Sequence, residues 1–479
     1  MTRSKVQRYF VSILLAAAFI RLLTAWLNVG FVAIDDYVYM LKLAFPAQNL
    51  PSFGTILQRT WVHPPLPMLL LSIAGQIPLH LGFTDPLRQI QFTYSLMGLW
   101  SLFSIYFAGK IFFELERPRE GLVAAFLIGL HGLMPFFSTR VLFETFSMPL
   151  LTGSLYFFMR FVRHSKNRDL FFSIVFITVA SLVRYQSGVC FLAMAGYLIF
   201  AKSMRRHLPV FCLYAAGLFV TSGLIDVALG RSFQQSVIDY IRYNLHHSGD
   251  YGVSKPWNFV LFFLGFSLPP FLLRHWRGFL WKERYSSLSP ALTFFLVFLV
   301  SHSLIPHKED RFMIPILPVF LLLLAPLVNR LIEEGARKRL IIFGGLNFVI
   351  LILTSCFTAQ WNTIGVARFL HNHRSYNRLV NFNDSLVFMP SSYMNRPDLK
   401  IVQSAASSTR GSSDCGTLTA VREDRLQAFR SAAGGNEKEI AVSKPGPLEW
   451  LIVKANPKHN GRRAAIHLFA AAGCFAASD

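Results

Sequence analysis

A chain of 479 residues that is 53% hydrophobic, with mean hydropathy +0.43 and 15% charged residues, excludes an ordinary soluble domain, where about a quarter of residues are charged. The formal net charge of +22 invites a nucleic-acid partner. The positives, however, lie between apolar runs, as in membrane proteins whose Lys and Arg crowd the short cytoplasmic loops, and this excludes a nucleic-acid binder.

Residues 1–8 are a short basic tail, and residues 9–31 an apolar run too long for a secretory signal peptide and without its small-residue cleavage site. The run is read as a first span with its N-terminus in the cytoplasm. Further spans are predicted near 90–109, 121–138, 142–159, 170–183, 188–201, 208–228, 257–273, 289–305, 312–328 and 340–357, because runs of about 17 residues or more suit a bilayer core. The loops then assigned to the cytoplasm, 1–8, 110–120, 160–169, 202–207, 274–284 and 330–339, together hold 21 Lys and Arg. The opposite loops carry basic residues singly and mixed with acids. The apolar stretch 64–78 is only fifteen residues long with prolines at both ends, so residues 33–89 are read as one long outer loop with interfacial helices.

The expected fold is therefore an all-α polytopic membrane protein with about eleven transmembrane helices over 1–358, and with outer loops at 33–89, 229–256 and 306–311. Residues 359–479 are polar and rich in Ser, Asn and Arg. They are expected outside, as a small domain or tail, and the last apolar piece, 466–477, is too short to span. Cys190, Cys212, Cys356, Cys415 and Cys474 show no metal or redox spacing, and the three in apolar runs read as buried small hydrophobes.

Every chemically suggestive cluster falls on the outer side. Asp35 and Asp36 directly follow the first span, where a carboxylate can act as general base on a hydroxyl or merely cap a helix. His63 stands beside Trp61 before a rigid Pro-Pro turn. Arg140 and Glu144 have the i, i+4 spacing of an ion pair on one helix face, and Arg184 begins an outer turn where it can meet a phosphate or snorkel. Asp250, Tyr251 and Trp257 lie in a stretch of donors and aromatics suited to a sugar, with no metal-ligand spacing. The sharpest cluster runs from Ser301-His302-Ser303 through His307-Lys308-Glu309-Asp310-Arg311 to Phe312, with five consecutive ionisable residues wedged between two apolar runs. Such a knot must be paired or functional, and His307, Lys308 and Arg311 suit an anionic phosphate.

The segment HKEDRF, followed by apolar sequence with Pro315 and Pro318, resembles the His-Lys-Glu-x-Arg-Phe signature of glycosyltransferase family 22. That family, of the GT-C superfamily, contains the lipid-linked-sugar mannosyltransferases of asparagine glycosylation and GPI-anchor assembly. SGDYGVSKPW resembles the Gly-Asp-Tyr-Tyr-Gly-x-His-Pro-Trp motif of its GPI branch, the third-mannose enzymes above all, and Asp35-Asp36 matches the family's Asp-Glu pair. Asp36 stands where the family has Glu, Lys255 where it has His, and one Tyr is missing between Asp250 and Gly252. These departures bear on the acceptor rather than on the reaction class.

The resemblance implies a GT-C fold and an inverting transfer of mannose from polyprenyl- or dolichyl-phosphate mannose to a glycan or glycolipid hydroxyl. Asp35 would be the base and Asp36 its support. His307, Lys308, Arg311 and Arg184 would hold the donor phosphate. Asp250, Tyr251, Trp257, His63, Glu309, Arg140 and Glu144 would contact the sugar or acceptor. A phosphate already held by cations needs no metal or other cofactor, and the expected partners are membrane lipids, the donor and the acceptor, with no obligate protein. The short chain and its departures favour a bacterial inner membrane over the endoplasmic reticulum. The alternatives are a GT-C transferase using another lipid-phosphate sugar, and a transporter or flippase, which predicts broken midplane spans and internal repeats. No repeat is visible in the sequence.

Overall fold

Helix starts follow the prolines. Nine of the helices below (α2, α3, α4, α5, α9, α12, α13, α17 and α18) carry Pro in the first turn, where its missing N–H has no partner to lose. The computed structural model describes residues 2–31, 65–250, 252–267, 286–404 and 414–475. In chain order the helices are α1 (Arg3–Leu27), α2 (Pro65–His80), α3 (Pro86–Glu114), α4 (Pro118–Leu130), α5 (Met134–Thr139), α6 (Phe143–His164) and α7 (Asn167–Val183). There follow α8 (Val189–Phe200), α9 (Leu208–Ala228), α10 (Gln235–His247), α11 (Asn258–Ser267), α12 (Ser289–Ser303), α13 (Leu317–Glu333) and α14 (Arg337–Cys356). Short 3-10 helices at Tyr185–Gly188 and Asp310–Ile316 lead into α8 and α13.

Each of the eleven predicted apolar segments contains helix, but six helical stretches among the described residues are long and apolar enough to cross a membrane. They are Arg3–Leu27, Pro86–Glu114, Lys202–Ala228, Ser286–Ser303, Asp310–Glu333 and Arg337–Asn372. The predicted span 121–138 is broken where His131 leaves helical geometry (ψ 138°), which separates α4 from α5. The fifteen-residue apolar stretch becomes α2, of 16 residues.

The chain divides into two compact units. The first holds, among the described residues, 2–23, 65–71 and 94–351, with α13 almost wholly buried at its centre. Small residues let its helices approach: a Cβ on Gly153 of α6 would lie 2.6 Å from Phe176 of α7, and Ser154 and Ser173 each donate to the other's carbonyl at 2.9 and 2.8 Å. Arg21 in α1 is fully buried and donates to Ser101 Oγ (2.7 Å), Ala17 O (3.2 Å), Ser138 Oγ (3.4 Å) and the last carbonyls of α4, Ile128 O (3.2 Å) and Gly129 O (2.8 Å). A cation at the negative end of a helix dipole is favourable, and here it also satisfies carbonyls with no intrahelical partner.

The second unit combines residues 72–93 and 352–479 with the end of α1 from Thr24. The all-α expectation fails here. After α15 (Trp361–Asn372) come β1 (Arg378–Phe382), β2 (Lys400–Ser404), β3 (Thr417–Arg422), α16 (Leu426–Ala433), β4 (Glu437–Ser443), α17 (Pro447–Ala455), α18 (Pro457–Asn460) and β5 (Ile466–Ala471). The five strands form one mixed sheet in the order β2-β1-β3-β5-β4, parallel across the first three and antiparallel at β5. Phe382, Val421, Phe429 and Phe469 form its core. Cys415 and Cys474 are joined in a disulfide that the spacing does not reveal. Of the other cysteines, Cys190 is buried as expected, whereas Cys212 is exposed and Cys356 half-buried.

Within this unit Asn28 accepts from Gly30 N and Ala359 N, both at 3.1 Å, and donates to Thr354 O at 2.5 Å. Tyr393 Oη donates to Val29 O at 2.5 Å, Phe388 packs edge-on against Phe31, and Arg368 holds Asp85 at 2.6 Å.

Candidate active site

Two of the predicted clusters, about fifty residues apart in the chain, meet in the first unit. Ser254 N donates to Pro306 O at 3.0 Å, and Lys308 Nζ returns bonds to Ser254 O (3.1 Å) and Ile305 O (2.5 Å). His307 Nδ1 lies 3.3 Å from Gly252 O, and its Nε2 lies 3.0 Å from Glu309 Oε1. Glu309 also takes Arg311, with Nη2 at 3.0 Å from Oε1 and Nε at 2.7 Å from Oε2. The knot is thus a network, with Glu309 between His307 and Arg311 and Lys308 clamping one loop to the other. Burial works to raise the Glu309 carboxyl, but the charges and hydrogen bonds of Arg311 and His307 outweigh it and hold the group below its usual range. Desolvation lowers the Lys308 ammonium from its usual value.

Phe312 has guanidinium groups on it, Arg311 at 5.6 Å and Arg184 at 5.1 Å from the ring centre. Arg184 ends α7 and makes a buried ion pair with Glu144, in the first turn of α6. The predicted partner of Glu144, Arg140, is placed otherwise. It lies just before α6 in extended backbone (φ −76°, ψ 147°), so helical i, i+4 spacing does not apply. Its guanidinium is stacked 4.4 Å from both Tyr94 and Phe136, with Nε donating to Phe136 O at 3.2 Å.

Asp250 accepts from His247 Nδ1 at 2.7 Å and is exposed, as is Trp257, whose ring is 5.2 Å from Lys255 Nζ. Asp35, Asp36, His63 and Tyr251 lie outside the described residues. Among the described residues no group of His, Cys, Asp or Glu is arranged to hold a metal ion.

Several residues here escape the sequence reading. Tyr240 of α10 packs at a tilt against Tyr185, with ring centres 5.1 Å apart, and burial pushes its phenol up to about 12. Asp226 holds the α9–α10 corner through Ser236 N (2.9 Å) and the Ser236 hydroxyl. A cavity of about 500 Å³ opens between α7, α8, α9 and α10, lined mainly by apolar side chains such as Phe191, Phe211 and Phe219, with Thr178, Ser181, Tyr185, Ser222 and Gln234 as polar members.

The profile of the Alg9-like mannosyltransferase family matches residues 33–390, three-quarters of the sequence and both loops of the network. The chain belongs to that family. Among curated relatives of this family member, GPI mannosyltransferase 3 of Kluyveromyces lactis is 31% identical over 208 residues, covering 39% of this chain and 34% of the relative. GPI mannosyltransferase 3 of Saccharomyces cerevisiae is 27% identical over 333 residues, covering 60% of this chain and 51% of the relative. The matched region thus spans between a third and a half of the relatives' length. Both relatives come from yeasts, which lends the expected bacterial membrane no support.

The fold is similar to that of ArnT from Cupriavidus metallidurans. The form bound to undecaprenyl phosphate aligns with a TM-score of 0.58 at 12% identity, covering 98% of each chain. The apo form aligns at 0.57 and 13%, covering 96% of this chain and 97% of ArnT. This family member is therefore a multi-pass membrane protein with a GT-C-like fold.

Proposed function

We propose that the chain transfers mannose from polyprenyl- or dolichyl-phosphate mannose to a hydroxyl of a lipid-linked glycan or similar acceptor, at the extracytoplasmic face and with inversion. The observation that carries the reading is the docking of loop 252–257 on loop 305–312, which gathers His307, Lys308 and Arg311 around one acidic residue at the end of a membrane helix. Family membership supports the sugar, and the relatives' names support a GPI-type acceptor. The Cys415–Cys474 disulfide supports an oxidising compartment for the C-terminal segment, as do the basic loops assigned to the cytoplasm.

In this reading the acceptor oxygen attacks the anomeric carbon while the bond from that carbon to the phosphate oxygen breaks. Asp35 takes the hydroxyl proton, with Asp36 in support. The departing lipid phosphate keeps the bonding electron pair, and the cations of the network stabilise the charge that develops there. The apolar cavity behind Tyr185 suits the prenyl chain. Asp250, Tyr251, Trp257 and His63 face the acceptor or sugar.

The test is transfer of radiolabelled mannose from synthetic polyprenyl-phosphate mannose by purified protein in lipid, beside Asp35→Asn. Transfer by wild type alone supports the proposal, whereas turnover retained in Asp35→Asn would remove the general base. Transfer only from a different sugar lipid would remove mannose and keep the reaction class.

A further inference from the structure

Behind Phe312 lies a group of buried polar atoms that the chain itself leaves unsatisfied. Glu144, Arg184 and His302 are 3%, 5% and 2% exposed, and Ser187 is fully buried. The ion pair uses Arg184 Nη1 and Glu144 Oε1. Among the described residues Arg184 Nε and Nη2, Glu144 Oε2, Ser187 Oγ and His302 Nε2 have no hydrogen-bond partner. His302 is stacked on Phe298 at 4.0 Å, and its Nδ1 donates to Phe298 O at 2.8 Å. A ring whose Nδ1 carries the hydrogen presents Nε2 as an acceptor. Arg184 is near enough to act on that ring through its charge, and on Tyr240 as well.

Each unsatisfied buried polar atom costs about 1–3 kcal/mol, so five such atoms, four of them on the Glu144–Arg184 pair and His302, call for a polar occupant. The donor set indicates which kind. A phosphate would meet the Glu144 carboxylate and the His302 lone pair, both of which repel it, and Arg184 is already neutralised by its ion pair. Hydroxyls fit better, because each needs a donor and an acceptor. Arg184 supplies the N–H groups, Glu144 and His302 supply acceptors, Ser187 can do either, and the Phe298 and Phe312 rings provide apolar walls.

We propose that Glu144, Arg184 and His302 form an occluded clamp for neighbouring hydroxyls of a hexose, with His302 a specificity-determining residue. The clamp rests on the sugar-transfer reading above and assigns Arg184 to the sugar rather than to the phosphate. The hexose comes from either the donor lipid or the acceptor, and the arms of the test separate these.

The experiment measures binding rather than turnover, with purified protein in lipid and three ligands: polyprenyl-phosphate mannose, sugar-free polyprenyl phosphate, and methyl mannoside. Wild type should bind the mannose lipid more tightly than the sugar-free lipid if the donor supplies the sugar, or bind methyl mannoside if the acceptor does. His302→Phe fills the same space without the acceptor and should weaken the sugar-dependent binding about tenfold, while sugar-free lipid binds as before. His302→Gln, which restores an acceptor, should recover part of the loss. Glu144→Gln provides a second reading should His302→Phe fail to fold. Equal losses for sugar-bearing and sugar-free lipid, or no loss in any variant, would overturn the clamp. Wild type that transfers mannose while these variants keep full sugar discrimination removes only the clamp. Wild type that transfers none, yet binds another hexose lipid through His302, removes mannose and keeps the clamp.

Discussion

Replacing Lys308 by Met keeps the length of the stem and removes the ammonium that joins loop 252–256 to loop 305–309. Two of its acceptors are well placed, Ile305 O at 2.5 Å and Ser254 O at 3.1 Å, while Pro306 O at 3.5 Å adds little. Hydrogen bonds from a charged donor contribute about 1.5–3 kcal/mol each, but this ammonium is only half-buried, so water recovers much of the loss. About 2 kcal/mol remains for the clamp, roughly a thirtyfold shift toward the open loop at 1.4 kcal/mol per tenfold. The readout is exchange of the Ser254 amide, which donates to Pro306 O at 3.0 Å. In Lys308→Met it should exchange about thirty times faster, and kcat/KM for transfer should fall by a similar factor. Unchanged Ser254 protection would refute the clamp. If protection survives and only the KM for donor rises, Lys308 serves the phosphate directly.

Three further outcomes follow from the packing. Arg21→Met should lower stability by about 3 kcal/mol, because it leaves buried hydroxyls and the last carbonyls of α4 without their donor, and Arg21→Lys should rescue it only in part. An unaltered Tm in detergent would contradict this. Opening the disulfide by Cys474→Ser releases a loop with a sequence separation of 59, a loss of about 4 kcal/mol on the chain-entropy account, read as faster proteolysis of the C-terminal unit. Free thiols at both positions before denaturation would rule the bond out. Glu309, held below its usual range, stabilises the loop network fully above the unfolded carboxyl value of about 4.3, and that stability is lost as pH falls through the lower folded value. Ser254 protection should therefore be insensitive to this group at neutral pH. It should show an acid step that Glu309→Gln abolishes; an identical step in both proteins would refute the linkage.

The helices of the first unit are legible in the sequence because apolar length alone marks them, and the knot at 307–311 is legible because five ionisable residues between two such runs need a reason. The partners are not. Spacing suggests that Arg140 pairs with Glu144, but a break of the backbone before α6 gives Glu144 to Arg184, forty residues on. His302 falls within the polar stretch 301–312 that the sequence marks, but only the structure shows it buried near the end of α12 and apart from the 307–311 knot. The sheet is missed because its strands are only five to seven residues long. Its central strand β3, buried at all six positions, lacks the alternation that marks a half-exposed strand. The 466–477 segment, too short for a membrane, is apolar because β5 lies between β3 and β4.

The anchorage of Asn28 bears on how such a chain can be recombined. The end of the first helix is fastened to residues 354, 359 and 393, so the polar C-terminal part cannot be treated as a detachable tail. Gly30 has Ala359 in the space its own side chain would need, and the two surfaces must therefore change together. A chimera exchanging only residues after 358 between relatives would inherit a mismatched joint directly ahead of Asp35 and Asp36. One that also moves residues 24–31 and 72–93 would carry the joint intact.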